Sequence, residues 1–420
     1  MKKDRIYTVI FALTFFSICA CSQDPIFYTI SRETAPLDPI IKGSPTNIVK
    51  FEYGGVPGFF VASGKLYRYA NGSWNNSCPQ PGERVTALAA TTKYLYAVCM
   101  TGDSKATLRR LGHEDTSWKE ITDTSGSSMI QSIYADPDSP RLFAGIGSSD
   151  PYAIWHIHDD DSEMKLLPGE VKYLSGTAFL DGIHYLSTRD LIVIGGQIFR
   201  VSESSLTGTS PDIAQLDELP SGEGNKNRLI IGMIKLDDEI AEVVEDAMAD
   251  PPILPQPRKP PTIIAVERSG GSFFKVESAG FTRMKFDNGD GIETGGFATG
   301  ALALWANADG SRTLLVAGVQ GGLYNSLTTS YTHGYVEFDL NSDGSINTAS
   351  SRHNAGNLFT IVDNEQDRYT ATIGKHPINH LYQAPAEIDS SKTFFAATQN
   401  AGLWSYRDRN PGGWQWNAED

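Results

Sequence analysis

Short runs of alternating apolar and polar residues recur along the chain from residue 46 onward, separated by Gly, Asp, Asn and Ser. Alternation with a period of two is typical of β-strands with one covered face, and the separating residues favour tight turns. The most regular runs are β-rich and end in small residues. They cover residues 58–63, 94–98, 141–145, 184–187, 262–266, 314–318 and 393–397. The pattern predicts an all-β chain built from one repeated unit.

Further strands follow these runs at short distances. Aromatic third strands are predicted at residues 65–69, 272–276, 322–324 and 402–406, and fourth strands at 73–74, 117–121 and 413–416. Alignment on the small residue that ends each run gives steps of 35, 47, 43, 78, 52 and 80 residues. Four-stranded blades recur at ~40–50 residues. We therefore predict a seven-bladed β-propeller of four-stranded antiparallel blades, with two long connections. The small residues are expected beside a crowded axis.

The last long step leaves a second interpretation open. A β-rich run at residues 358–362 would supply an eighth blade, in place of a long excursion through residues 350–377. A β-helix or a pair of stacked sandwiches also accommodates short alternating strands.

The other long step contains an insertion at residues 236–260. Its first half has the spacing of an acidic amphipathic helix, with Ile240, Val243, Val244 and Met248 on one side. Its second half is rich in proline and predicts an extended polyproline II strap. Two roles are open for the insertion: a decoration that packs on its own blade, or a handle that binds a partner protein through the apolar side of the helix.

The N-terminal residues predict export. A basic segment that contains Lys2, Lys3 and Arg5 precedes an apolar run at residues 6–18. This run is too short to cross a ~30 Å bilayer core as a helix, and it fits the hydrophobic region of a signal peptide. No other stretch approaches ~18 apolar residues, so no transmembrane helix is predicted.

The end of this segment predicts lipid attachment. The sequence Ile-Cys-Ala-Cys that ends at Cys21 resembles a bacterial lipobox, in which the final cysteine is acylated, for example with palmitate, and becomes the mature N-terminus. The alternative is ordinary secretion with cleavage near Ala20. We therefore predict a lipoprotein signal peptide at residues 1–20, a lipidated tether at 21–45 and the propeller at 46–420.

The charge restricts the partners. The formal net charge is −15, and removal of residues 1–20 takes away a net +2, so the mature chain carries −17. Binding to nucleic acid requires clustered Lys and Arg, and the sequence has no basic run beyond its first five residues. No nucleic-acid partner is expected. Because an anionic protein is repelled by anionic lipid, attachment is expected through the acyl chains on Cys21 rather than through a basic patch.

Two segments carry a family resemblance. Residues 134–145 resemble an inter-strand connection of the BNR and sortilin-type propellers, and residues 402–406 with 413–416 resemble their closing strands. Together with the lipobox, these motifs make the chain similar to β-propeller lipoproteins of spirochaetes. The resemblance covers nearly the whole chain and implies a fold, but its motifs are structural and imply no reaction.

One turn has the pattern of a calcium loop. Asp339, Asn341 and Asp343 occupy loop positions 1, 3 and 5, and a glycine follows at position 6, as in loops that bind Ca²⁺ through oxygen ligands. Ser350 replaces the acidic ligand at position 12, which predicts weak binding. The same residues also fit a simple hairpin turn.

Cysteine and histidine pairs give two weaker candidates. In an exported protein a disulfide between Cys78 and Cys99 is plausible, and the alternative is two separate thiols with Cys99 buried in a strand. His156 and His158 lie two apart on a predicted strand and precede three aspartates, a combination that can hold Zn²⁺ or can simply end a strand in an acidic turn.

The sequence contains no Gly-x-Ser-x-Gly elbow, no His-Glu-x-x-His motif and no phosphate-binding loop, so no catalytic residue is assigned. We expect a membrane-anchored, non-enzymatic binding or assembly scaffold of the bacterial cell envelope, whose partner is an envelope protein or a glycan. The alternative is a glycan-acting, sialidase-like hydrolase that uses the mouth of the propeller channel. No cofactor is predicted apart from the weak calcium site.

Overall fold

The computed structural model of the 420-residue chain describes a set of strands and part of the turns that join them. The described residues are 40–82, 84–101, 105–121, 130–135, 139–146, 152–167, 172–173, 184–186, 191–194, 197–201, 206, 213–215, 230–236, 263–267, 273–276, 281–284, 299–306, 311–318, 335–341, 345–347, 378–384, 392–409 and 413–419. All of them lie in one compact unit, Pro39–Asp420. Within this part of the chain, no helix is long and apolar enough to cross a membrane.

Twenty-eight strands, β1 to β28 in chain order, form seven separate antiparallel sheets. The first sheet contains β1 (Ile48–Tyr53), β2 (Val56–Ser63), β3 (Lys65–Ala70) and β4 (Ser73–Asn75). The second sheet contains β5 (Arg84–Ala90), β6 (Tyr94–Thr101), β7 (Lys105–Gly112) and β8 (Lys119–Ile121). In both sheets, neighbours in the sequence are also neighbours in space.

The third sheet contains β9 (Ile130–Ala135), β10 (Arg141–Ile146), β11 (Tyr152–His158) and β12 (Lys165–Leu166) in series, and β13 (Lys172–Tyr173) pairs with the far end of β11. The fourth sheet contains β14 (His184–Leu186), β15 (Leu191–Ile194), β16 (Gln197–Val201) and β17 (Ile213–Gln215).

The fifth sheet contains β18 (Ile230–Lys235), β19 (Ile263–Glu267), β20 (Phe273–Val276) and β21 (Phe281–Arg283). The sixth contains β22 (Thr299–Ala306), β23 (Arg312–Gly318) and β24 (Tyr335–Leu340). The seventh contains β25 (Ile378–Gln383), β26 (Lys392–Thr398), β27 (Leu403–Arg409) and β28 (Gly413–Ala418).

The first strands of successive sheets contact one another. The order of contact is β1, β5, β9, β14, β18, β22 and β25, and β25 returns to β1. This closed order places the first strands around a common axis and the later strands outside them, which is the arrangement of a β-propeller. The predicted all-β propeller with four-stranded antiparallel blades is confirmed.

The predicted count of seven four-stranded blades is wrong. The described strands form six blades of at least four strands, of which the third has five, and the sixth sheet has three strands within the described residues. The third strand predicted at residues 322–324 lies outside the described residues, and β24 pairs with β23 instead. After β24 the chain turns back at once, and a single bridge joins Leu340 to Ile346 where a fourth strand would begin. The run at 358–362, considered for an eighth blade, also lies outside the described residues.

The predicted strand at residues 184–187 occupies a different place in its sheet. Residues His184–Leu186 form β14, the first strand of the fourth sheet, and the second strand is β15. The sequence of β15 is Leu-Ile-Val-Ile, a continuous apolar run of the kind that suits a strand covered on both faces. Such a run lacks the alternation from which the unit was predicted.

The helical insertion at 236–260 is not supported. The named elements of the described residues are strands only, and residues 237–262 lie outside them. Leu236, the first residue of the predicted insertion, belongs to the core: its side chain is buried beside Phe338, and Arg312 Nη1 donates to its carbonyl oxygen at 2.6 Å. The insertion therefore begins after Leu236.

Three of the small residues that end the second strands, Ala62, Ala97 and Ala144, are buried. Ala62 and Ala97 pack together in one hydrophobic cluster, and Ala144 lies in the next. These positions lie between the faces of neighbouring sheets, whereas the first strands surround the axis. Gly58 is explained by the close approach of two neighbouring strands within the first sheet, since a Cβ there would lie 2.5 Å from the carbonyl oxygen of Tyr69 on β3.

A buried carboxylate joins the second and third sheets. Asp159, which follows β11, is 2% exposed. Its Oδ1 accepts from the hydroxyls of Thr91 (2.7 Å) and Tyr96 (3.1 Å), and its Oδ2 accepts from Thr92 Oγ1 and the backbone N–H of Lys93, both at 3.2 Å. Four donors from one hairpin of the second sheet thus satisfy a carboxylate of the third, as a buried charge requires.

The seventh sheet is completed by the start of the propeller chain. We call residues 40–47 the closing segment. The N–H of Leu403 donates to the carbonyl of Ile41 (3.1 Å), and that of Gly402 donates to the carbonyl of Gly43 (2.8 Å). The N–H of Ile40 donates to the carbonyl of Glu419, just after β28, at 2.6 Å. The two ends of the propeller are therefore fixed to the same sheet.

Glu419 also closes the ring through its side chain, which is fully buried. Its carboxylate accepts from Trp74 Nε1 of the first sheet at 2.8 Å and from Ser405 Oγ of the seventh. Beside it, Phe395 of β26 contacts the rings of Phe59, Tyr69 and Trp74 at centroid distances of 5.4 to 5.6 Å. An aromatic cluster and one shared carboxylate therefore seal the joint between first and last sheets.

We expect Glu419→Ala to lower the free energy of unfolding by ~2–3 kcal/mol, because the Trp74 and Ser405 donors would remain buried without an acceptor. Thermal and urea unfolding measure this change. Asp160→Ala is the matched control, since Asp160 forms an exposed ion pair with Lys93 that solvent screens, and its midpoint should stay nearly unchanged. Equal midpoints for the two variants would contradict the assigned role of Glu419.

Candidate functional site

The closing segment defines one face of the propeller. Antiparallel strands place the β2–β3 and β26–β27 turns at the same end as the start of β1. The segment contacts both turns: Ser63 Oγ donates to the carbonyl of Lys42, and the N–H of Asn400 donates to Ser44 Oγ at 3.0 Å. We call this end the closure face. The opposite face carries the β1–β2, β5–β6 and β7–β8 turns.

Polar side chains at the closure face hold the segment against the inner strands. The N–H of Ile48 donates to His380 Nδ1 at 3.2 Å, so this ring nitrogen carries no proton. Asn47 bonds the backbone of Leu88 in both directions, with its Oδ1 accepting from the N–H at 3.3 Å and its Nδ2 donating to the carbonyl. The first strands of the first, second and seventh sheets are thus linked by side chains.

Two buried amide oxygens lie at this end. Asn379 Oδ1 and Gln399 Oε1 have no hydrogen-bond partner among the residues that the structure describes. They follow Ile378 and Thr398, which pair directly across β25 and β26 at a β-bulge. A buried acceptor without a donor costs ~1–3 kcal/mol. These oxygens are therefore places where an N–H or O–H donor would be stabilised. Nothing in the sequence pattern apart from their residue types indicates them.

The opposite face is tied together by His113, which follows β7. Its ring nitrogens lie 2.7 Å from the carbonyl oxygen of Glu52 and 3.0 Å from that of Thr92, and the ring stacks on Phe51 at 4.7 Å. The N–H of Gly54 donates to the carbonyl of His113 at 2.8 Å. The hairpins of the first two sheets are therefore fixed to each other.

The predicted calcium loop is a tight hairpin where the structure describes it. Asp339 Oδ1 accepts from Thr313 Oγ1 at 3.1 Å, and Asn341 Nδ2 donates to Ser345 Oγ at 2.9 Å. Backbone bonds from Asn341 to Ser345 and from Asn347 to Asp339 complete the turn. Two of the three predicted ligands thus already have protein partners, and the third, Asp343, lies outside the described residues.

Calcium binding stays a prediction, and we expect a dissociation constant no better than ~10⁻⁴ M, because Ser350 supplies no bidentate carboxylate. Titration calorimetry with CaCl₂ measures it, and Asp343→Ala should remove the heat. Asp309→Ala, in the similar Asn-Ala-Asp-Gly turn, should leave it unchanged. The absence of heat, or the same heat after Asp343→Ala, would contradict the site.

The two cysteines lie in one hydrophobic cluster between the first and second sheets. Both are thiols in the structure and both are buried. Burial raises the pKa of the Cys78 thiol to about 11, which keeps it protonated and poorly reactive near neutral pH. The bridge between Cys78 and Cys99 stays a prediction about the oxidised protein.

The histidine pair has protein partners. His156 is buried and its Nδ1 lies 2.9 Å from Arg141 Nη1, while His158 lies 3.6 Å from Asp160. In the described part of the chain, no group of three or more His, Cys, Asp or Glu is placed to hold a metal. The other predicted site residues, Cys21, Ile240, Val243, Val244 and Met248, lie outside the described residues.

Comparison with known proteins gives no matching family model and no matching curated sequence. Among solved structures, the chain is similar to the GH74 xyloglucanase of Xanthomonas campestris, with 12% identity, a TM-score of 0.48, and 90% of this chain and 55% of that chain covered. It is similar to Sqt1 of Saccharomyces cerevisiae, with 10% identity, a TM-score of 0.43, and 91% and 88% covered.

A prolyl endopeptidase is also similar, with 11% identity, a TM-score of 0.42, and 73% of this chain and 42% of that chain covered. The chain thus spans about half the length of the xyloglucanase and less of the endopeptidase. At these identities and TM-scores the likeness assigns no activity, and the propeller fold rests on the sheets themselves.

Proposed function

We propose that the protein is a membrane-anchored, non-enzymatic binding or assembly scaffold of the bacterial cell envelope, attached through acyl chains on Cys21. The observation that supports it is the ring closure. The chain enters the propeller through the closing segment, which is bonded to the last sheet at Ile41 and Gly43 and sealed by buried Glu419. Because the propeller is closed at the point where the tether enters it, its sheets are held rigidly relative to one another. The turns on its two faces are then available to bind partners.

The anchor is tested by Cys21→Ser. We expect this variant to lose palmitate labelling and to leave the detergent phase, because acyl chains supply the attachment that a chain of net negative charge lacks. Cys19→Ser is the matched control and should remain acylated. A Cys21→Ser protein that still incorporates palmitate, or still partitions fully into the detergent phase, would contradict the lipobox assignment.

The partner-binding element of the scaffold is the insertion that follows Leu236. Lys235 and Ile263 pair directly across β18 and β19, so the chain leaves and re-enters the fifth sheet at adjacent positions. Because the insertion leaves and returns at paired residues of β18 and β19, the pairing of these strands does not depend on it. The apolar residues Ile240, Val243, Val244 and Met248 form the proposed contact surface, because a group of apolar side chains is stabilised when another surface covers it.

Replacement of residues 237–260 by Asn-Gly, with Leu236 kept, should preserve the fold and abolish capture of an envelope partner. Shortening a loop changes the free energy of folding by only ~0.6 kcal/mol per halving. Thermal unfolding and crosslinking in intact cells measure the two outcomes. A control that also deletes Leu236 should be less stable, since that side chain lies in the core. Failure of the first variant to fold, or unchanged capture, would contradict the docking role.

A further inference from the structure

Among the described residues of the first three sheets, exposed charged side chains are divided between the two faces of the propeller. At the closure face the exposed basic side chains are Lys42, Lys65, Arg84 and Lys105. Lys65 begins β3, Lys105 begins β7 and Arg84 begins β5. Gly64 and Val85 form a bridge, which brings the start of β5 to the β2–β3 turn beside the closing segment.

The opposite face is acidic. Its three lysines are each paired with a carboxylate, Lys93 with Asp160 (2.6 Å), Lys119 with Asp115 (2.8 Å) and Lys165 with Asp161 (2.9 Å). Three exposed glutamates then remain on this side of the described sheets. They are Glu52, Glu114 and Glu163.

We infer that the closure face is an electrostatic contact surface for an anionic phospholipid bilayer, and that it turns the propeller so that the opposite face points away from the membrane. This inference rests on the proposed membrane anchoring and specifies the side that the anchored protein presents. The partner is assigned by charge complementarity: basic side chains near an anionic lipid surface are attracted to it.

The net charge of the chain does not cancel this attraction. Strand β6 runs from one face to the other over eight residues, and seven steps of about 3.3 Å separate its ends by ~23 Å. The Debye length in physiological salt is about 8 Å. The acids of the opposite face are therefore screened from a bilayer that touches the closure face, while Lys65, Arg84 and Lys105 lie within its field.

The path of the chain at the start of the propeller also supports a closure face that points toward the membrane. The closing segment runs over the closure face from Ile40, beside the end of β28, to Ile48 at the start of β1. The tether predicted to carry the acyl chains therefore joins the propeller at this face. Ile40 is 50% exposed there and adds an apolar side chain next to the basic ones.

The orientation is measured with the acylated full chain in vesicles, using energy transfer from a labelled cysteine to an acceptor in the lipid headgroups. Cys78 and Cys99 are buried, so an introduced exposed cysteine takes the label. Thr101→Cys marks the closure face, and Ser117→Cys marks the opposite face of the same sheet. In vesicles with about 30 mol% phosphatidylglycerol, energy transfer to the lipid acceptor should be stronger from position 101 than from position 117.

The difference should disappear in about 1 M salt, where the Debye length falls to about 3 Å. It should also disappear in the variant Lys65→Gln, Arg84→Gln, Lys105→Gln. The matched control, Lys93→Gln, Lys119→Gln, Lys165→Gln, removes the same charge from the opposite face and should keep the difference. Equal transfer from both positions, or a difference that survives the closure-face variant, would overturn the inference.

A second measurement needs no acyl chain. The mature chain predicted from the lipobox, residues 21–420 with Cys21→Ser, is sedimented at low salt with vesicles of phosphatidylglycerol or of phosphatidylcholine. It should bind the first and not the second. Each basic residue contributes about fivefold, so the closure-face variant should bind about a hundredfold more weakly. If this protein binds phosphatidylglycerol vesicles but the Cys21→Ser experiment contradicts acylation, the basic contact surface stands and the lipid anchor does not. The inference would be overturned if the protein bound neither kind of vesicle, or if the closure-face variant bound phosphatidylglycerol equally well.

Discussion

Closure of the ring is the constraint on which the rest of the structure depends. Each blade is held by its own ladder of backbone hydrogen bonds, but the first and last sheets meet only if the two ends of the chain are fixed together. The closing segment does this with three backbone bonds to the seventh sheet and its end, and Glu419 adds a carboxylate shared between Trp74 and Ser405. Because these groups are buried, they stabilise only one relative position of the two sheets.

The same device recurs inside the ring with different residues. Asp159 joins the second and third sheets by accepting four donors from one hairpin, and His113 joins the hairpins of the first and second sheets on the same side. Apolar clusters fill the space between sheets, and single polar groups set their register. Rigidity therefore comes from the joints as well as from the sheets, which suits a protein whose proposed role is to present surfaces.

The proposed function follows from where these joints lie. The chain enters the propeller on the closure face, which carries four exposed basic side chains among the described residues of the first two sheets, whereas the exposed lysines of the opposite face are each paired with a carboxylate. The net charge of −15 does not show this difference in charge between the two faces. Attraction to a membrane depends on the charges within a Debye length of it, so the distribution decides the orientation and the total does not.

The sequence by itself determined the class of fold, because period-two alternation and glycine-rich turns act locally: β2, β6, β10, β19, β23 and β26 lie at or around the predicted second strands. It misplaced the strand at 184–187, since a continuous apolar run has no period, and it was wrong about the number of four-stranded blades, since the local pattern does not show which strands pair with one another. Only the tertiary structure showed that Glu419 meets Trp74, or that Arg84 lies beside the β2–β3 turn. Those neighbours are brought together by ring closure and not by any spacing along the chain.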